Sequence, residues 1–166
     1  MTKEEKLYAT APCGLMCYGC FGYKKGGIPY HASKLHNLYR GWYSGHVYGY
    51  GENPTPEQRE KLKKIEILNE MLIQLKTQPN CDGCRINGGV GGGCIPGCIV
   101  PKCVKEHGVD FCGECPEFPC SREIPENIRG QWFRAGEFIR ENGFEAWFEK
   151  NKDVAHYEHI VDPALE

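Results

Sequence analysis

The sequence predicts a small α+β or mainly α domain of irregular architecture, in which metal-stabilised, cysteine-rich loops pack beside three to five helices. Three observations predict it. Eleven of the 166 residues are cysteine. All eleven fall in two stretches crowded with glycine and proline, residues 11–22 and 81–120. The chain at 55–77 and 126–151 instead carries apolar residues at helical spacing. A length of 166 residues is the size of one compact domain, so 1–166 is read as a single domain.

Taken in order, residues 1–30 read as loops and turns, with Cys13, Cys17 and Cys20 set among glycines between Pro12 and Pro29. A short helix is expected around His31 to Tyr39, followed by an aromatic, glycine-rich loop from Gly41 to Gly51 without clear helical period. The best helix begins after Thr55, which can cap it, with Pro56 at the first helical position and Gln58 completing a capping box. It should run to about Lys76, with Leu62, Ile65, Leu68, Met71, Leu72 and Leu75 as a core stripe and Glu60, Lys63, Lys64 and Glu70 in water. In residues 81–120 a short helix is expected from Val100 to Gly108 and a strand-like link from Val109 to Phe111; no conventional core fits the remainder. Helices at 131–142 and 144–151 should bury Trp132, Phe133, Phe138, Ile139, Phe144, Trp147 and Phe148.

Charge excludes some partners. With 20 Lys and Arg against 22 Asp and Glu, the formal charge of -2 gives no basic footprint for nucleic acid or an acidic membrane. Residues Met1 to Thr10 lack the apolar segment of a secretory signal, and no apolar run is long enough to span a bilayer. A cytoplasmic location is therefore expected, where structural disulfides are rare and clustered cysteines are read as metal ligands. An odd number of thiols also fits a disulfide framework poorly. A protein is the class of partner left open.

Cys17 and Cys20, Cys81 and Cys84, and Cys112 and Cys115 are each separated by two residues. At that spacing a tight turn offers two sulfurs to one tetrahedral ion, with the amides of Gly19, Gly83 and Gly113 free to approach the thiolates. Cys13, Cys94, Cys98, Cys103 and Cys120 complete the candidate ligand set. Two zinc ions, each in a closed four-thiolate site, would use eight of the eleven. Because Cys13, Cys17 and Cys20 make three ligands, the metal is expected to hold them against the central cysteines. An iron–sulfur centre is the alternative cofactor, as an electron carrier, since such clusters also take four thiolates. The Cys112-Gly113-Glu114-Cys115-Pro116 run extended to Cys120 matches neither bacterial nor plant-type ferredoxin spacing. The Cys13, Cys17, Cys20 spacing is shared with radical S-adenosylmethionine enzymes, but Gly19 stands where those carry an aromatic residue, and the chain is short for their barrel. A dithiol reductase wants its first cysteine at a helix N-terminus, whereas Pro116 and Pro119 follow Cys115.

Weaker candidates include His107, which could replace a thiolate but reads first as an exposed loop histidine, and His156 with His159 near the end of the sequence. The glycines from Gly88 to Gly93 are followed by Cys94 rather than the lysine of a phosphate loop, and read as slack beside a metal site. No nucleophile with its base is visible, so no catalytic residue is assigned and the reading is of a non-enzyme.

The run Ala11-Pro12-Cys13-Gly14-Leu15-Met16-Cys17-Tyr18-Gly19-Cys20, the Cys81-Asp82-Gly83-Cys84-Arg85 turn and the block from Cys103 through Cys112-Gly113-Glu114-Cys115-Pro116-Glu117-Phe118-Pro119-Cys120 resemble a bacterial and archaeal family catalogued as domain of unknown function 3795. Gly143-Phe144-Glu145-Ala146-Trp147 is similar to that family's closing helix. The resemblance implies zinc binding through the cysteines and no defined activity. The Gly41 to Gly51 stretch and the glycine run before Cys94 look longer than the family's pattern.

Overall fold

A computed structural model describes residues 1–86, 95 and 97–154. Within them the fold is mainly α. Six helices follow one another: α1 Lys3–Tyr8, α2 Gly27–Gly49, α3 Pro56–Thr77, α4 Val100–Glu106, α5 Glu126–Asn142 and α6 Phe144–Asn151. Single 3-10 turns stand at Cys17–Gly19 and Cys112–Glu114. Strand pairing among the described residues is limited to two isolated bridges, Thr10 with Met16 and Tyr23 with Cys81. The α+β alternative and the strand-like link at Val109 to Phe111 are thereby corrected, and the helices number one more than the upper expectation. No described helix is long and apolar enough to cross a membrane. The chain divides into two compact units, Met1–Gly26 with the chain from Asn80 onward, and Gly27–Pro79.

In the first unit, α1 starts on a capping box in which the Thr2 hydroxyl accepts from the Glu5 amide and the Glu5 carboxylate accepts from the Thr2 amide. This helix lies within a stretch read from sequence as loop. Phe111 and Phe148 are fully buried and Val100 nearly so, in one core with Ala135, Ile139, Trp132 and Trp147. The cysteine-rich segment thus supplies real core, since Val100, Val104, Phe111 and Phe118 all join it, contrary to the expectation that no conventional core fits there. Helix α5 begins at Glu126 and turns Trp132, Ala135, Gly136 and Ile139 inward. Their three- and four-residue spacing is one helical stripe, and Phe133, one residue off it, is exposed rather than core. Gly143, at φ 81°, takes a left-handed conformation between α5 and α6 that a side chain would strain.

The second unit is a helical hairpin. As the sequence predicts, Thr55 caps α3 in a capping box with Gln58, and Pro56 takes the first helical position. Only Ile65 and Leu72 of the α3 stripe are buried; Leu68 and Met71 are exposed. Helix α2 runs through most of the stretch expected as an aromatic loop, to Gly49. Tyr39, Trp42, His46 and Tyr50 follow at three- and four-residue intervals and stack in succession, Trp42 on His46 at 4.0 Å between ring centres. The His46 ring also contacts the Trp42 carbonyl one turn earlier, at 3.1 Å. A Cβ at Gly41, Gly45 or Gly49 would meet nothing, so these glycines weaken the helix without serving a close approach. Across the hairpin, the Tyr39 hydroxyl donates to the Ile65 carbonyl at 2.9 Å and the Lys76 ammonium donates to Nδ1 of His36 at 3.0 Å.

Candidate metal centre

Two cysteine loops are seated on adjacent residues of α5. The first turns at Gly14, whose φ of 87° and whose approach to Ala135 both demand glycine, because an added Cβ would fall 2.1 Å from the Ala135 Cβ. The buried Trp147 indole N–H fixes this turn by donating to the Gly14 carbonyl at 2.9 Å. The second loop touches α5 through Gly113, where a Cβ would lie 2.2 Å from the Gly136 carbonyl oxygen. Phe118 covers Gly136 from the same loop, its ring atoms 2.3 Å from where a Gly136 Cβ would stand. Arg140, one turn further along α5, holds the loop by donating to the carbonyls of Gly113 at 3.0 Å, Phe118 at 2.8 Å and Cys115 at 2.7 Å. The two loops also meet directly, the Cys112 amide donating to the Pro12 carbonyl at 3.1 Å.

The third cysteine segment lies beside the first. The Cys81 amide donates to the Gly22 carbonyl at 2.8 Å, and the Lys24 amide to the Cys81 carbonyl at 3.0 Å. These bonds set the Cys17–Cys20 turn next to the Cys81–Cys84 turn. Backbone amides reach sulfur in both turns: Gly83 donates to Cys81 Sγ at 3.3 Å and Gly22 to Cys20 Sγ at 3.4 Å. The Gly83 contact matches the sequence reading. In the other turn Gly22 occupies the role assigned to Gly19, while Gly113 serves the approach to α5. Arg85 ties this segment to α1 by donating through Nε to the Leu7 and Thr10 carbonyls, and its guanidinium stacks 4.6 Å from the Phe111 ring centre.

Cys103, Cys112, Cys115 and Cys120 line one small cavity with His107 and Arg122. Its interior, about 20 Å³, holds one water-sized body. His107 is half-buried there, not an exposed loop histidine; its Nδ1 lies 2.8 Å from the Cys103 carbonyl and 3.8 Å from the Cys103 sulfur. Burial pushes the Cys112 thiol up to about 11, with the Trp132 indole opposing the shift and Cys103, Cys120 and Cys115 adding to it. Burial also raises Cys103, against the pull of Arg122. Cys13, buried, is pushed far up by desolvation, opposed by a backbone hydrogen bond at Leu15 and reinforced by Cys84, Cys98 and Cys112. These shifts are the reverse of what a nucleophilic thiol needs. They suit soft ligands whose negative charge is stabilised by a bound cation.

The ten described cysteines are free of disulfides; Cys94, the glycines from Gly88 to Gly93, and His156 with His159 lie outside the described residues. Among the described residues, no three Cys, His, Asp or Glu side chains have closed on a common point at ligand spacing. What adjoins is the set of loops, through backbone contacts. The lining of that cavity, four thiols and an imidazole, is made of the residue types that zinc takes as ligands. Sequence reasoning missed Arg85, Trp132, Arg140 and Trp147, because each acts on a loop far away in sequence and no local pattern marks it.

A family model described as protein of unknown function, DUF3795, matches residues 9–124. No curated protein and no solved structure matches the chain.

Proposed function

We propose that this chain, which belongs to the DUF3795 family, is a zinc-binding protein whose metal sites are structural and hold its cysteine loops in place. The observation that carries the reading is the seating of two cysteine loops side by side on α5, with four thiols and His107 lining one small cavity. Cys103, Cys112, Cys115 and Cys120, with His107 as a possible substitute ligand, would hold one zinc. A second would draw on Cys13, Cys17, Cys20, Cys81, Cys84 and Cys98, of which the Cys17–Cys20 and Cys81–Cys84 turns adjoin through backbone bonds and Cys13 interacts with Cys84 and Cys98. An iron–sulfur cluster is the weaker reading, because the run from Cys112 through Cys115 to Cys120 matches neither bacterial nor plant-type ferredoxin spacing. Zinc here would supply fold stability, not a reaction: a structural site contributes roughly 10–16 kcal/mol in small peptides, as much as the about 5–15 kcal/mol that holds a whole domain together.

The test is removal of the metal from the intact protein by a strong chelator, followed by hydrogen exchange. Loss of protection at 97–120 with the α3 helix still protected is expected. Equal protection before and after complete removal would contradict a structural role.

A further inference from the structure

The hairpin of the second unit leaves one apolar face uncovered. Helices α2 and α3 run antiparallel: His36 reaches Lys76 near the end of α3, and Tyr39, further along α2, reaches Ile65. These contacts, with the buried Leu72, mark the inward line of each helix. On α2, Leu35, Leu38 and Trp42 recur at three- and four-residue intervals, about 100° round the helix from the His36–Tyr39 line. On α3, Leu68 and Met71 are turned about as far from the Ile65–Leu72 line in the same rotational sense, and Ile67 extends their stripe at its outer edge. In an antiparallel pair the same sense places both stripes on one face. All six side chains are exposed, Leu38 the most at 79%.

The interior of the hairpin is thin by comparison. Its buried apolar residues are Pro29, Ala32, Ile65 and Leu72, few for helices of 23 and 22 residues. With half or more of most of the six residues open, and about 200 Å² to a large apolar residue, the face offers about 650 Å². The largest apolar patch of a lone chain is about 300–600 Å², whereas a stable interface takes about 800 Å² from each partner. Lys34, Glu60 and Lys64, all exposed, border the face and supply the polar rim that completes such an area.

We propose that this face pairs with the same face of a second copy of the chain, two hairpins forming a four-helix bundle. The matched, antiparallel stripes are what self-pairing requires. A two-fold axis parallel to the helices sets α2 of one copy on α3 of the other, again antiparallel, so every helix gains a second neighbour and the surface closes on itself. The inference does not depend on the zinc reading, because every described cysteine lies in the other unit.

The experiment is sedimentation equilibrium over a wide concentration range on the full chain as purified, in the native sequence, in Leu38→Glu and Met71→Glu, and in Glu66→Lys, which lies on the opposite side of α3. Twice the 18.8 kDa mass of the chain is expected for the native protein. Each glutamate placed on the face should raise the dimer dissociation constant about 100-fold or more. Glu66→Lys should leave it unchanged. Both glutamates replace exposed side chains, so the helical circular dichroism of the single chain should persist; if one variant loses it, the other decides. A native chain that stays monomeric at every concentration, or a dimer that both glutamates leave intact, would overturn the inference.

Discussion

His36 shows how one buried side chain makes the helical hairpin sensitive to acid. Burial lowers its pKa below the ordinary value, and Lys76 and Arg40 lower it further. Lys76 can only donate, so Nδ1 of His36 must be the acceptor in their 3.0 Å contact and the ring must be neutral. The unfolded chain, with an ordinary pKa of about 6.5, takes up the proton first as pH falls. Stability from this group is thus complete above about pH 6.5 and declines below it. Protection factors for helix amides at 27–79, corrected for the intrinsic pH dependence of exchange, should be lower at pH 5 than at pH 7.5, and His36→Gln should flatten that dependence; equal slopes in both proteins would contradict the assignment. At this scale the sequence was legible where chemistry is local. The cysteines and their two-residue spacings mark candidate ligands wherever the chain goes. The roles of His36 and Arg140 were not legible, because a donor forty residues away or a carbonyl on another loop leaves no trace in the neighbouring sequence.

Among the elements, α3 was legible by its start signal, and α4, α5 and α6 by the spacing of their apolar residues. Thr55, Pro56 and Gln58 announce α3 through bonds made within one turn, and the structure has each of them. Thr2 and Glu5 announce α1 by the same chemistry, although the composition of the first thirty residues obscured it. Helix α2 was misjudged because Gly41, Gly45 and Gly49 read as turn residues. The contrary signal lay in Trp42, His46 and Tyr50, four residues apart and stacked on one side of the helix. What binds the Cys112–Cys120 loop to α5 is Arg140, with three charge-assisted bonds to carbonyls. Arg140→Ala removes all three donors and the guanidinium over Phe118. It should destabilise the first unit by about 2–4 kcal/mol in denaturant melts, within the range of lost charged hydrogen bonds. A loss under about 0.5 kcal/mol, typical of a surface change, would show that the loop is held by other means.

For the whole molecule, the mainly α character and the division between cysteine loops and helices were legible from composition. The two compact units were not, since α2 and α3 make their own hairpin inside an interval that the first unit's chain merely enters and leaves. The loops of the first unit have a platform in α5 and apolar anchors in Phe111 and Phe118, and four of their cysteines line one small cavity. Four thiolates around one zinc carry a net charge of -2, so two such sites would take the formal charge from -2 to about -6. The most direct measurement of the central claim is elemental analysis with the visible absorption spectrum, on protein purified without air. About two zinc per chain and a colourless solution are predicted. Iron with inorganic sulfide and a brown chromophore would contradict the account and make electron transfer the leading function.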